Sequence, residues 1–142
     1  MEKDVQELSE NERKKRYLNS YRRAIRREQY ILDEIQRLRM DKMFPSIVND
    51  GMPSGSNQSD LSEYMSKVDE QIQILNDELL KKIKIYSDIE KRIREMKNED
   101  EQEVLRLRYI RGLKWEEVAE EIGYGWSRTH DIHSDALKHF NL

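Results

Sequence analysis

Residues 126–138 place Ser127, Arg128, His130, Asp131, Ser134 and Lys138 at helical spacing on a polar face. Side chains of these types read base edges when a helix enters the DNA major groove. A guanidinium donates in bidentate fashion to guanine, a carboxylate accepts from the cytosine amino group, and a hydroxyl serves either way. Arg111 and Lys114 stand just upstream and suit phosphate contacts. Trp126, at the start of the same helix, joins the candidate DNA contacts, although packing is the commoner role of an indole. The chemistry is that of recognition. No Gly-rich phosphate loop or nucleophile elbow occurs, and the carboxylates fall at helix-surface spacing, so no enzyme activity and no cofactor are expected. His130 and His133 are three apart, which can suit zinc, but His139 falls on a different face from His130 and the chain has no cysteine. No metal is expected.

Two short helices must position these side chains. In WEEVAEEIGYGWSRTHDIHS, residues 115–134, Ala119 supplies a small residue where two helices cross, and Gly123, four residues later, supplies the left-handed turn. Val118 and Ile122 join Ala119 on the inner stripe of the first helix, which Trp115 opens after the Gly112-Leu113-Lys114 turn. Beyond Gly123 the apolar spacing restarts with Thr129, Ile132, Ala136 and Phe140, with Leu137 beside them, so a second helix is predicted from about Trp126 to His139. Val104, Leu105, Leu107, Arg108 and Tyr109 make a supporting helix upstream. Gly125 stands at the N-cap of the second helix, leaving no side-chain acceptor unless Ser127 substitutes.

The run from Leu105 to Phe140 resembles the fourth region of bacterial sigma factors. It resembles more closely the phage-encoded late transcription regulators of the RinA and ArpU type. The residues that carry the likeness are Leu105, Arg108, Tyr109, Gly112, Trp115 to Ala119, Ile122 to Tyr124, Ile132, His133 and Ala136 to Lys138, together with the segment at 51–64. The resemblance implies a sequence-specific DNA-binding regulator carried by a phage or prophage, in the cytoplasm of a bacterial host. Two other functions remain open on the same residues: a packaging protein of the small-terminase type, and a sigma-like adaptor contacting RNA polymerase.

The front of the chain reads as an arm. The expected architecture is all-α: two long coiled-coil-forming helices as an αα-hairpin in residues 1–98, with a loop at 44–60, then the helix-turn-helix module in 99–142. No Pro or Gly interrupts the stripe from about Val5 to Met43, whereas 44–59 hold both prolines and two of the five glycines. Asp60 and Glu63 form a capping box for the second long helix. That helix carries Leu61, Met65, Val68, Ile72, Leu75, Leu79, Tyr86, Ile89 and Ile93 in steps of four and three, with Lys82 the one polar position in the seam, which ends at Met96. This is an oligomerisation seam, with the first helix, a second chain, or both as its partner. A hairpin that also forms a dimer or higher oligomer is favoured.

Charge adds a further condition. The net charge is −3, and residues 101–142 hold 6 basic against 8 acidic side chains. Phosphate neutralisation supplies most non-specific DNA affinity, so one copy of the module should bind double-stranded DNA weakly. Residues 13–27 hold eight Lys or Arg and no acid. Arg22, Arg23, Arg26 and Arg27 are the candidate secondary phosphate contacts, although such a run is more often a solvated face. No apolar run approaches the roughly 18 residues of a membrane span, so no membrane partner is expected.

Overall fold

The computed structural model describes residues 2–43 and 57–142, with side chains described for 3–4, 9–42 and 60–142. The elements are α1 (Glu2–Met43), α2 (Asn57–Arg94), α3 (Glu99–Leu105), a π-helical turn (Arg106–Ile110), α4 (Trp115–Ile122) and α5 (Trp126–His139). No strand occurs among the described residues. Residues 44–56, most of the expected loop, lie outside them.

The two long helices contain no Pro or Gly, and ion pairs one turn apart support them, such as Glu63–Lys67 at 3.4 Å and Asp88–Arg92 at 2.9 Å. Each such pair adds about 0.2–0.5 kcal/mol. α2 begins at Asn57, three residues before the expected capping box, so Asp60 lies inside the first turn. There it acts as a negative charge at the positive end of the helix dipole rather than as the cap.

The chain divides into two units, residues 1–24 with 82–142, and residues 25–81. In the second unit the two long helices pack antiparallel. Arg27 Nε donates to Glu78 at 3.1 Å, Lys42 Nζ stands 5.7 Å from the centre of the Tyr64 ring, and Ile31 and Ile35 are buried. The Arg27 guanidinium, with Lys81 beside it, holds the Glu78 carboxyl below the usual carboxylate range.

The first unit holds two apolar cores. One gathers Leu18, Ile89, Ile93 and Met96 from the long-helix region with Leu105, Tyr109, Ala136, Leu137 and Phe140. The other, made of Val104, Leu107, Val118 and Ile132, belongs to the short helices, with Leu113, Trp115 and Ile122 packed against it. Full burial of one such side chain is worth about 1.5–3 kcal/mol. The first unit therefore joins parts of both long helices to the short helices, because Leu18, Ile89 and Ile93 complete the core that seats α5.

The same burial corrects the oligomerisation seam. Ile89 and Ile93 are fully buried within the chain and unavailable to a partner. Leu61, Met65, Ile72 and Tyr86 are exposed, and Val68, Leu75 and Leu79 are half-buried. Ile74, Leu80 and Ile83 are also exposed, outside the predicted seam.

The π-helical turn joins the two cores. Its wide pitch is recorded in the Arg111 N–H donating to Arg106 O at 2.9 Å, and it sends Leu107 into one core and Tyr109 into the other. It ends at Gly112, whose φ of +70° only glycine adopts without strain. Arg22 packs over that glycine and donates to Ile110 O at 3.2 Å.

Candidate nucleic-acid interface

α4 and α5 form the predicted helix-turn-helix with the predicted limits. Gly123 has φ +75° and its N–H donates to Ala119 O at 3.0 Å, while the Tyr124 N–H reaches the same carbonyl at 3.2 Å. This left-handed cap stops α4 and reverses the chain within three residues. α5 starts from Gly125 with no side-chain cap, and Ser127 does not substitute. Instead the Thr129 hydroxyl donates back to Gly125 O at 2.8 Å. Glycine at this position costs only a few tenths of a kcal/mol relative to serine.

Burial separates the faces of α5. Thr129, Ile132, His133, Ala136 and Leu137 point inward. Ser127, Asp131, Ser134 and Lys138, in steps of four, three and four, are exposed on the opposite face. Arg128 and Asp135 are exposed on one flank, while Trp126 and His130 follow the other. An exposed polar stripe of this length matches what a helix presents to base edges. Lys14, buried despite its charge, fixes the C-terminal end by donating to Leu137 O at 2.7 Å. Such a cation also complements the negative end of the α5 dipole.

Aromatic contacts orient the flanking side chains. The Arg128 guanidinium lies 5.9 Å from the centre of the Tyr124 ring, and the Tyr124 hydroxyl donates to Asp100 at 3.1 Å. Tyr124 thus positions a candidate base-reading arginine. His130 sits against two indoles, with ring centroids 4.7 Å from Trp115 and 4.3 Å from Trp126. Trp126 is 54% exposed, so its indole packs on His130 and still presents an edge to solvent. His133 is buried and hydrogen-bonded to the Tyr109 hydroxyl at 2.7 Å. Burial, with smaller effects from Lys15, His130 and Arg108, lowers the His133 pKa to about 4, and burial pushes Tyr109 up to about 12. Both are therefore neutral near pH 7. His139 is bound by Glu101 rather than grouped with the other two histidines.

The basic residues are distributed differently from the sequence expectation. Arg111 and Lys114 are exposed, but α4 beside them exposes Glu116, Glu117, Glu120 and Glu121. In the N-terminal run, Arg22 holds the Gly112 turn through Ile110 O, and Arg23 donates to Arg16 O at 2.9 Å. Arg27 pairs with Glu78, and Arg26 is exposed. Three of the four arginines proposed as phosphate contacts therefore have intramolecular partners. Spacing alone does not show which cations of an all-basic run will be engaged by carbonyls or by acids from elsewhere in the chain.

No group of three or more His, Asp or Glu side chains among the described residues is placed to hold a metal ion. No helix among them is long and apolar enough to cross a membrane. No curated protein and no solved structure matches the chain. Residues 98–140, spanning α3, the π-helical turn, α4 and α5, match the family Sigma-70, region 4, and form a helix-turn-helix of that DNA-binding kind.

Proposed function

We propose that this chain is a sequence-specific DNA-binding transcription regulator of phage or prophage late genes, acting as a dimer or higher oligomer. The observation that carries the reading is the exposed polar stripe of α5, Ser127, Asp131, Ser134 and Lys138 with Arg128 beside it, in a sigma-region-four-like helix-turn-helix. α5 enters the major groove with this stripe toward the bases, and Arg111 and Lys114 face phosphates. The late-gene assignment follows the resemblance to the RinA and ArpU type. Two facts support self-association. The module's own charge is slightly acidic, which makes a single copy a weak DNA binder, and Leu61, Met65 and Ile72 leave an apolar stripe of α2 exposed at heptad-like steps.

Selection of bound duplexes from a random pool, using the full chain, tests the reading. An enriched motif, bipartite if the protein is a dimer, is the expected result, and a pool that stays random after repeated rounds rejects it. A second reading has one observation in its favour. The four exposed glutamates of α4 suit a basic protein surface better than a phosphate backbone, as an adaptor contacting RNA polymerase would require. Retention of the polymerase by the immobilised chain in the absence of DNA, lost on replacing these glutamates, is the result that reading expects.

A further inference from the structure

Acidic side chains surround much of the helix-turn-helix, which raises the question of where a DNA phosphate could rest. One cleft beside α5 answers it. The space, about 270 Å³, is lined by Lys15 and Asn19 of α1, Arg108 of the π-helical turn, Trp115 of α4, and His130 and His133 of α5. Tyr109 completes the wall. None of these residues is a carboxylate, although Asp and Glu outnumber Lys and Arg in the chain by 29 to 26. The cleft thus presents two cationic side chains and an amide donor. Lys15 is paired with Glu12 at 3.6 Å, but its side chain is 41% exposed, and an ion pair that exposed holds a lysine weakly. Arg108 spends one nitrogen on Leu113 O at 2.9 Å and stacks on Trp115 at 4.7 Å, which fixes the guanidinium at the cleft while leaving further N–H groups. Nε2 of His130, in the same wall, is buried and lacks a hydrogen-bond partner.

We infer that this cleft seats a backbone phosphate of double-stranded DNA, making α1 part of the DNA-binding surface through Lys15 and Asn19. The inference rests on the reading of α5 as the groove-entering helix. An α-helix is about 10–12 Å across and the major groove about 12 Å wide, so a helix whose outer stripe meets the bases turns its two flanks toward the two phosphate rows. The flank of Arg128 and Asp135 carries both signs of charge. The flank of Trp126 and His130 opens onto the cleft, whose lining residues include no carboxylate. A small phosphorylated molecule would meet the same donors, but the cleft's place along the edge of the outer stripe favours the phosphate already bordering the groove.

Full-chain affinity for a selected duplex and for a shuffled one, measured by fluorescence anisotropy between about 50 and 200 mM salt, tests the inference. Lys15→Gln should reduce the slope of log K against log salt by about 1, equally on both duplexes. Asn19→Asp, which puts a like charge into the cleft, should weaken both by several-fold. Asn19 is exposed and Lys15 half-exposed, so both variants should melt as the parent does. A parent chain that selects its site, with slopes and affinities unchanged in both variants, overturns the cleft and leaves the proposed function standing. A parent chain that binds no DNA overturns both. Titration with inorganic phosphate supplies a further arm. Saturable shifts of the His130 and His133 ring resonances, alongside an unchanged DNA slope in Lys15→Gln, would assign the cleft to a free phosphate ligand instead.

Discussion

Acidification should loosen the seat of α5 in a window set by one histidine. His133 is buried against Tyr109 and Trp115, and its pKa is lowered from 6.5 to about 4, chiefly by burial. The imidazole is neutral in the folded chain and protonates more readily once unfolded. Its contribution is fully present above about pH 6.5 and is lost as pH falls toward the folded value, because the unfolded state binds more protons in that interval. At pH 5 the two pKa values give a loss of about 2 kcal/mol, and the limit below pH 4 is about 3 kcal/mol. Glu78, whose pKa is depressed, loses its contribution only as pH falls below the unfolded value of 4.5, so the interval from pH 7 to 5 separates the two groups. Guanidinium titrations of the parent and of His133→Gln at half-unit steps across that interval measure the effect. The parent should lose about 2 kcal/mol more than the variant. Parallel curves for the two proteins would refute the assignment of the acid sensitivity to His133.

Gly112→Ala and Gly123→Ala both place a side chain at positive φ, but only at position 112 would the new Cβ meet another group, the Arg22 guanidinium at 2.4 Å. Each should cost about 1–2 kcal/mol for the backbone, with about 1 kcal/mol more at 112 for the displaced Arg22–Ile110 bond, read from denaturant midpoints. Arg128→Ala should cost about 1–3 kcal/mol on the selected DNA site and much less on shuffled DNA, measured by anisotropy. An equal loss on both would make Arg128 a phosphate contact. Ile72→Glu, on the exposed stripe of α2, should lower the oligomer mass seen by light scattering without lowering the melting temperature, and an unchanged mass would place the self-association surface elsewhere.

Much of the fold is legible in residue spacing, and its failures have physical causes. The limits of α4 and α5 follow from Trp115, Gly123 and the restart at Thr129, because a left-handed turn and a 3.6-residue period leave little freedom in so short a stretch. The start of α2 is misplaced, because Asn57, Gln58 and Ser59 tolerate a helix without signalling one. The heptad seam is correct as a helix, but periodicity does not distinguish an intramolecular partner from an intermolecular one. Ile89 and Ile93 are therefore taken by Leu18 and Phe140 of the same chain, while Leu61, Met65 and Ile72 remain exposed. At the candidate interface, the exposed stripe on α5 was legible from polarity. The roles of Tyr124 beneath Arg128, of Lys14 on Leu137 O, and of Lys15 with Arg108 were not. The last two join residues distant in sequence, and only the packing of α1 on the short helices brings the two lysines to α5 and the π-helical turn.

Sequence reading by α5 is measured by the ratio of affinities for the selected duplex and its shuffled counterpart at one near-physiological salt concentration. Binding to the selected duplex should be at least about 10³-fold tighter, the lower end of the range for specific regulators. Equal affinity for the two duplexes would contradict sequence reading by α5.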